Sequence, residues 1–291
     1  MPMFEFHEPE TVKAAVALKN RYGASARWLA GGTDLLVHLK KKLVTAGHVI
    51  GLQKIEDLAQ IKKNSHTCFI GACVTMSQLS NSDIIQAHFH ALKSGGDNLG
   101  THLIRNRATL GGNACNASPA GDTLPALLVY NAAVILESID GQRRIPIEDF
   151  FTGPGNTAIN DNELLTGFEL PIPSATSGAH YIQLGKRKSA EINVVNVASF
   201  IEIDPDSRRV ADVRIALGSV AATPVRSAHA ESFLKDKMVE EGLFYEAGEL
   251  ARHKDCTPID DFRGSASYRR AMIGVLTKRT LSRACDQATP S

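Results

Sequence analysis

The 291-residue sequence has almost no net charge and no long apolar run. Its 32 Lys and Arg residues balance 31 Asp and Glu residues, which leaves a formal charge of +1. Because proteins that bind nucleic acid concentrate positive charge on one face, we expect no nucleic-acid partner. No segment approaches the roughly 20 apolar residues that a membrane-spanning helix needs, so we expect no membrane span.

Cysteines are few, and their spacing forms neither a CxxC pair nor a zinc-ligand pattern. The five are Cys68, Cys73, Cys115, Cys256 and Cys285. The first ten residues also lack the charged and apolar regions of a signal peptide. An odd number of cysteines without a secretion signal predicts free thiols in a reducing cytoplasm. The same spacing predicts no iron–sulfur cluster held by this chain alone.

Common catalytic and nucleotide-binding motifs are missing as well. The sequence contains no GxxxxGK[ST], no GxGxxG between a strand and a helix, no HExxH and no GxSxG, which disfavours the enzyme classes built on them. The ten histidines are scattered and none pairs at metal-ligand spacing. We therefore interpret His7, His38 and His102 as surface residues rather than ligands or bases.

Two glycine-rich clusters are the most informative features that the sequence does contain. Residues 30–34 read AGGTD and follow a short apolar run, and residues 109–122 read TLGGNACNASPAGD. Glycine tolerates positive φ and lets backbone N–H groups approach a ligand, while Asn, Ser and Thr add donors and acceptors. The first cluster alone is more typical of a structural turn, but the second contains more special residues than a turn needs. Together they indicate one extended phosphate-bearing ligand held from two sides.

The order of predicted elements divides the chain into lobes. A helix over residues 9–22, capped by Thr11 and ended by Gly23, precedes a strand at 27–29, a helix at 35–43 and a strand at 49–52. This alternation predicts a small α/β lobe, followed by a second mixed lobe that extends to about residue 173. Residues 171–178, rich in Pro and small polar residues, are the predicted linker.

Beyond the linker the pattern changes to Val- and Ile-rich strands at 181–184, 193–203 and 210–220. Residues 204–207, DPDS, predict a hairpin turn between the last two of these strands. Three helical segments follow from residue 227 to about residue 283. Strands followed by helices predict an α+β lobe with helices on one face of an antiparallel sheet.

Longer motifs within and around the two clusters carry a resemblance to a known family. Residues 30–35 read AGGTDL, residues 104–113 read IRNRATLGGN, residues 117–119 read ASP, and Asp122 follows. The run IALG at 215–218, then ATP at 222–224 and Arg226, fits the same pattern. The chain resembles the FAD subunit of molybdenum hydroxylases, the medium chain of xanthine dehydrogenase and carbon monoxide dehydrogenase. The resemblance covers nearly the whole chain, and length and motifs are most similar to the xanthine dehydrogenase type.

The resemblance implies an α+β fold in two parts. Residues 1–175 would form a vanillyl-alcohol-oxidase (PCMH)-type FAD-binding domain of two α/β lobes, at about 1–55 and 56–175. Residues 179–286 would form a C-terminal α+β domain like that of the carbon monoxide dehydrogenase flavoprotein, with an antiparallel sheet and helices. FAD would lie between the parts.

The resemblance also implies roles for particular residues. The N–H groups around Gly31, Gly32 and Thr33 would form an anion-binding nest within residues 27–34, which wrap the pyrophosphate. Residues 109–113 would hold the other side of the diphosphate and the ribityl chain, and Asp122 would bond a ribose hydroxyl or its neighbours. The implied cofactor-binding set is Arg27, Trp28, Leu29, Ala30, Gly31, Gly32, Thr33, Asp34, Leu99, Thr109, Leu110, Gly111, Gly112, Asn113, Asp122, Leu165 and Gln183. Gln183 falls where relatives often carry a lysine, so a neutral contact would replace an ionic one.

The sequence leaves two interpretations open for Cys115 and two for the charged loop at residues 186–191. Cys115 either lies near the flavin ring or is a small buried residue that fills space, the second being favoured. Lys186, Arg187 and Lys188, with Glu191, resemble a charged loop over the flavin but equally fit a solvated loop. The chain lacks the cysteine-rich insertion that 4-hydroxybenzoyl-CoA reductases carry after the GGN motif, so that subtype is disfavoured.

The function implied by the resemblance is that of an FAD-carrying electron-transfer subunit of a heterotrimeric, cytoplasmic enzyme. A molybdopterin-binding large subunit and a [2Fe–2S] small subunit would be its partners, with NAD⁺ or another acceptor receiving the electrons. The chemistry would belong to the cofactor and the partners, so the sequence yields no catalytic residue or metal ligand. The alternatives are a stand-alone flavin-dependent oxidoreductase of the same fold and a flavin-free scaffold subunit.

Overall fold

The computed structural model of the protein describes residues 3–187 and 190–288. Over these residues the strands are β1 (Glu5–His7), β2 (Ala26–Leu29), β3 (His48–Gly51), β4 (Ile61–Lys63), β5 (Thr67–Gly71), β6 (Ala133–Ser138), β7 (Gly141–Pro146), β8 (Phe151–Gly153), β9 (Asn156–Thr157), β10 (Leu164–Pro171), β11 (Ser177–Leu184), β12 (Val195–Ile203), β13 (Val210–Gly218) and β14 (Val225–Arg226). The α-helices are α1 (Val12–Tyr22), α2 (Leu35–Lys40), α3 (Met76–Asn81), α4 (Asp83–His88), α5 (His90–Asn98), α6 (His102–Arg105), α7 (Leu110–Asn116), α8 (Leu124–Val129), α9 (Ala228–Leu234), α10 (Leu243–Lys254) and α11 (Ala266–Ala288).

The first part of the chain builds a parallel sheet in the order β1-β3-β2. Side chains alternate across β3, so Ile50 packs with α1 on one face while Val49 packs with Leu39 of α2 on the other. Thr11 caps α1 by accepting a hydrogen bond from the Ala14 N–H, as predicted, and the helix begins at Val12 rather than at residue 9. The predicted α/β alternation is confirmed.

The middle of the chain forms an antiparallel sheet in the order β4-β5-β10-β6-β7. Helices α3, α4, α5, α7 and α8 pack with it in the largest apolar core, which contains Phe89, Leu127 and Phe168 among its fully buried residues. Because β10 lies between β5 and β6, the segment between those two strands, which holds the second glycine-rich cluster, stays close to the sheet.

The last part of the chain forms an antiparallel sheet in the order β11-β12-β13-β14, followed by α9, α10 and α11. The hairpin turn lies between Ile203 and Val210, as predicted, and the linker narrows to residues 172–176. Helix α11 lies against the sheet, where the Ser199 and Thr280 hydroxyls are 2.7 Å apart. The whole is the predicted α+β fold. In the part of the chain that the structure describes, no helix has the length and apolarity needed to cross a membrane.

Candidate cofactor-binding site

The loop of residues 30–34 leaves the carboxyl end of β2 and leads into α2. Gln53 holds it from one side, because its Nε2 donates to the carbonyl oxygens of Leu29 and Ala30 at 3.2 and 2.5 Å. Within residues 3–187 and 190–288, no hydrogen bond engages the backbone N–H groups at positions 31 to 34. Gly32 has a φ of +78°, a backbone conformation that glycine adopts readily. A run of donors of this kind, here called the nest, is suited to an anion.

The second glycine-rich motif uses its backbone donors for the protein's own fold. Thr109 caps α7 by accepting from the Gly112 N–H at 3.0 Å. The N–H groups of Leu110 and Gly111 donate to the carbonyl oxygens of Val74 and Ala72. The Asn113 side chain has a donor available for a ligand. Its Oδ1 accepts from the Thr123 hydroxyl at 2.7 Å, and no hydrogen bond is found for its Nδ2 in the described ranges.

Two glycines have a packing role in addition to the predicted one. A Cβ on Gly31 would lie 1.8 Å from the Arg107 carbonyl oxygen, and a Cβ on Gly111 would lie 2.6 Å from the Ala72 Cβ. Both distances are far below van der Waals contact. The absent side chains therefore allow segments of the chain to meet, in addition to any approach to a ligand. As a result, the two motifs lie side by side. This arrangement is required if both are to bind the same ligand.

Several predicted residues lie away from the nest or point elsewhere. The Arg27 guanidinium donates to the carbonyl oxygens of Ala24 and Ala26, toward the other end of β2. Trp28 donates from Nε1 to the Glu163 carbonyl oxygen at 3.1 Å. Leu99 and Leu165 are both buried in the core of the middle lobe.

The segment that contains ASP and Asp122 is bonded to the C-terminal sheet. Asn193 donates from Nδ2 to the Ala120 carbonyl oxygen at 3.1 Å and to Asp122 Oδ1 at 2.9 Å. Asn196 donates from Nδ2 to the Gly121 carbonyl oxygen at 3.3 Å, and the Ser219 N–H donates to the Pro119 carbonyl oxygen at 2.7 Å. The C-terminal lobe therefore holds this part of the motif in place.

Sequence reasoning missed these partners of the motif. Asn193 and Asn196 are both fully enclosed, with exposed fractions of 1% and 0%. The available signal was the pair of asparagines in a segment that is otherwise rich in valine, because a buried amide needs specific hydrogen-bond partners.

The electrostatics of the site follow from its enclosure. Burial raises the pKa of Asp122 to about 6, although the hydrogen bond from Asn193 opposes this shift. Burial also raises the pKa of Tyr181 well above its usual value. The Tyr181 hydroxyl accepts from Asn196 and donates to Gln183 Oε1 at 3.5 Å, which places Gln183 in the same network.

Cys115 is accessible to solvent, so the favoured interpretation as a buried, space-filling residue is wrong. Protein nevertheless surrounds the thiol at longer range: desolvation raises its pKa to about 12, and the nearby Cys73 thiol contributes.

The charged loop after β11 is only partly within the described residues. Lys186 donates from Nζ to the Phe262 carbonyl oxygen at 2.5 Å, and Arg187 pairs with Glu191 at 3.2 Å. Lys188 lies outside the described residues.

Comparison with known proteins identifies the family of this chain. Residues 2–173 match the family described as the FAD binding domain in molybdopterin dehydrogenase. Residues 180–284 match the C-terminal domain of the carbon monoxide dehydrogenase flavoprotein. The chain is an FAD-binding subunit of the molybdenum hydroxylase family.

Individual relatives align with this flavoprotein over almost its full length. It is 32% identical to the carbon monoxide dehydrogenase medium chain of Hydrogenophaga pseudoflava over 97% of each chain. It is 29% identical to a putative xanthine dehydrogenase FAD-binding subunit of Escherichia coli over 98% of each chain. The solved carbon monoxide dehydrogenase from H. pseudoflava superposes with a TM-score of 0.93 at 31% identity and covers 99% of both chains.

The site of this flavoprotein fits the cofactor of its family. A dinucleotide such as FAD carries a diphosphate. The N–H groups at positions 31 to 34, for which the described part of the chain supplies no acceptor, are a donor set suited to an anion. The second motif adds an amide at Asn113 and a carboxyl at Asp122, which suit the polar groups of a ribityl chain and a ribose.

Proposed function

We propose that this flavoprotein transfers electrons inside a multi-subunit molybdenum hydroxylase. It would take electrons from [2Fe–2S] clusters of a small partner subunit and pass them to NAD⁺ or another acceptor, while a molybdopterin-binding large subunit oxidises the substrate. The observation that carries the proposal is the meeting of the nest at 31–34 with the second motif, in a chain whose relatives are named medium chains of such enzymes.

In this proposal each part of the chain binds or positions the cofactor. The N–H groups of Gly31, Gly32, Thr33 and Asp34 hold the diphosphate. Thr109 and Leu110 set the start of α7, and Asn113 donates its amide to the ribityl chain or phosphate. FAD supplies a store for two electrons that it can accept one at a time. No side chain of this protein needs to move a proton, so we assign no catalytic acid or base.

The remaining predicted contacts belong to the boundary between the two domains. We assign residues 1–175 to the FAD-binding domain and residues 179–286 to the C-terminal domain, with the cofactor between them. Asp122 and Gln183 face that boundary through Asn193 and Tyr181. The loop with Lys186 and Arg187 comes from the C-terminal side, and we assign it to the access of the electron acceptor.

The test uses the purified chain alone, in three assays. We expect it to retain FAD, identified by the visible spectrum and by release of the cofactor, and to pass electrons from NADH to an artificial dye. We expect no oxidation of xanthine or carbon monoxide, because the oxidising centre belongs to a partner. Substrate oxidation by the single chain would favour the stand-alone oxidoreductase. A protein that stays colourless with FAD would favour the scaffold, and bound FAD without NADH oxidation would assign a different acceptor.

A further inference from the structure

Glu5, His7 and His48 form a compact cluster on the first sheet, outside both glycine-rich motifs. Glu5 and His7 are two residues apart on β1, so both side chains lie on the same face of the sheet. In the parallel pairing, Glu5 is opposite His48 on β3, which brings the second imidazole to that face. The sequence predicts His7 to be a surface residue rather than a metal ligand. The structure instead places His7 beside a second histidine, His48. Over residues 3–187 and 190–288, this is the one group of three His, Cys, Asp or Glu side chains close enough to share an ion.

The distances in the cluster suit a tetrahedral ion. His7 Nε2 is 3.1 Å from His48 Nδ1, His48 Nδ1 is 3.4 Å from a Glu5 oxygen, and His7 Nε2 is 3.8 Å from the other. Zinc bonds to nitrogen and oxygen at about 2.0–2.1 Å, so tetrahedral geometry separates neighbouring ligand atoms by about 3.3–3.4 Å. The three observed separations, from 3.1 to 3.8 Å, lie on both sides of that value.

The chemistry of the converging atoms also favours a cation. Two imidazole nitrogens face one another and a carboxylate, so only a shared proton can join the nitrogens in the absence of an ion. A divalent metal would replace that proton and bond to all three groups at once. Each histidine would then bind as the neutral tautomer with its proton on the outer nitrogen.

The surroundings hold the two rings in place. The Tyr22 ring stacks on His48 with centroids 3.6 Å apart, and on His7 at 5.0 Å. The His7 and His48 side chains are 13% and 22% exposed, whereas Glu5 is 63% exposed. The imidazoles are therefore shielded and fixed, while the carboxylate side is open for an ion to enter. Packing that orients metal-binding histidines is a regular feature of metal sites.

We propose that Glu5, His7 and His48 bind one zinc ion, with water completing the tetrahedron. The ion would join the edge strand β1 to the central strand β3. The loop of residues 30–34 leaves the opposite end of the sheet, about 10 Å away for strands of this length. The zinc would therefore stabilise the first lobe without touching the cofactor, so the inference is independent of the proposed electron-transfer function.

The experiment is a zinc titration of the full chain by calorimetry, after removal of metal with a chelator. We expect one equivalent of zinc per wild-type chain and loss of that binding in His7→Ala and His48→Ala. His66→Ala removes an exposed histidine elsewhere and should leave the titration unchanged. Cobalt substitution should give a tetrahedral spectrum without thiolate charge-transfer bands, which separates this site from the free cysteines.

Further readouts distinguish binding from folding. Zinc should raise the melting temperature of the wild type but not of His48→Ala, and FAD content reports whether each variant is folded. Should the histidine variants fail to fold, Glu5→Gln changes the most exposed ligand and should weaken zinc binding on the order of tenfold. Tyr22→Phe should bind as the wild type does, whereas Tyr22→Ala should bind on the order of tenfold more weakly. The absence of stoichiometric zinc, binding unchanged in His48→Ala, or thiolate bands in the cobalt spectrum would each overturn the proposal.

Discussion

At Gly32 the backbone adopts a φ of +78°, a conformation in which a side chain is strained. Its neighbour Gly31 has a different requirement, since a side chain there would collide with the Arg107 carbonyl oxygen. One glycine therefore shapes the nest, and the other allows the two motifs to touch. Variants at the two positions therefore test different things. Gly31 tests the meeting of the two motifs, whereas Gly32 tests the backbone donors, with an added Cβ 3.0 Å from the flexible Leu36 side chain.

We predict that Gly32→Ala weakens FAD binding by roughly tenfold or more, because relief of strain at φ reorients the N–H groups of the nest. The strain itself should lower the free energy of unfolding by about 1–2 kcal/mol. Equilibrium dialysis with FAD and urea unfolding measure the two effects. The matched control is Gly242→Ala, at φ +88° with open space around it, which should lose similar stability but bind FAD normally. Equal FAD affinity in both variants would contradict the nest.

Helix α11 connects the C-terminal lobe to the second glycine-rich motif through one buried residue. Arg269 is 1% exposed, donates to the Ser219 carbonyl oxygen at 2.7 Å, and pairs with Asp261. Ser219 has a φ of +64°, and its N–H in turn holds the Pro119 carbonyl oxygen. Arg263 and Arg269 lower the pKa of Asp261 by bonding its carboxylate. The helix therefore helps to position the segment that contains ASP.

We predict that Arg269→Met lowers the free energy of unfolding by about 1–3 kcal/mol, because it leaves the buried Ser219 carbonyl oxygen without its donor, while Asp261 keeps its ion pair with Arg263. FAD affinity should fall as well, since Ser219 loses its support. Arg279→Met, at an exposed position of the same helix, should change stability by less than about 0.5 kcal/mol. Urea unfolding and FAD retention of the two variants make the comparison. Equal stability of the pair would show that the Arg269 contacts do not hold the lobe together.

For the whole molecule, the boundary between the lobes makes stability depend on pH. Asp122 has a pKa of about 6 in the folded chain, raised from 3.8 by burial between the second motif and the C-terminal sheet. The folded state then binds the proton more tightly than the unfolded state does. The resulting stabilisation is complete below pH 3.8 and is lost as pH rises to about 6, a change of up to about 3 kcal/mol.

We predict that Asp122→Asn removes this dependence while keeping an acceptor for the Asn193 amide. As pH rises from 4 to 7, the wild-type apoprotein should lose up to about 3 kcal/mol of unfolding free energy that the variant does not lose. Urea unfolding at the two pH values measures the difference. Asp206→Asn, in the exposed hairpin turn, controls for the loss of a negative charge. A difference between Asp122→Asn and wild type that stays constant with pH would contradict the shift.

Local patterns in the sequence predicted the elements and the family. The cap at Thr11, the hairpin turn after Ile203 and the change from α/β alternation to strands followed by helices depend on neighbouring residues, which a sequence displays directly. The glycine-rich motifs are also continuous runs. They predicted the flavoprotein family that the comparisons confirm.

Only the tertiary structure decided which distant residues meet. Asn193 reaches Asp122 across 71 positions, and His7 reaches His48 across 41. Those meetings follow from strand register and from the packing of lobes, which no local pattern encodes. The sequence by itself determined that this chain carries the motifs of an FAD-binding subunit. Packing decided that Gly31 abuts Arg107 and that two histidines share one face of a sheet, because register and burial act through space and not along the chain.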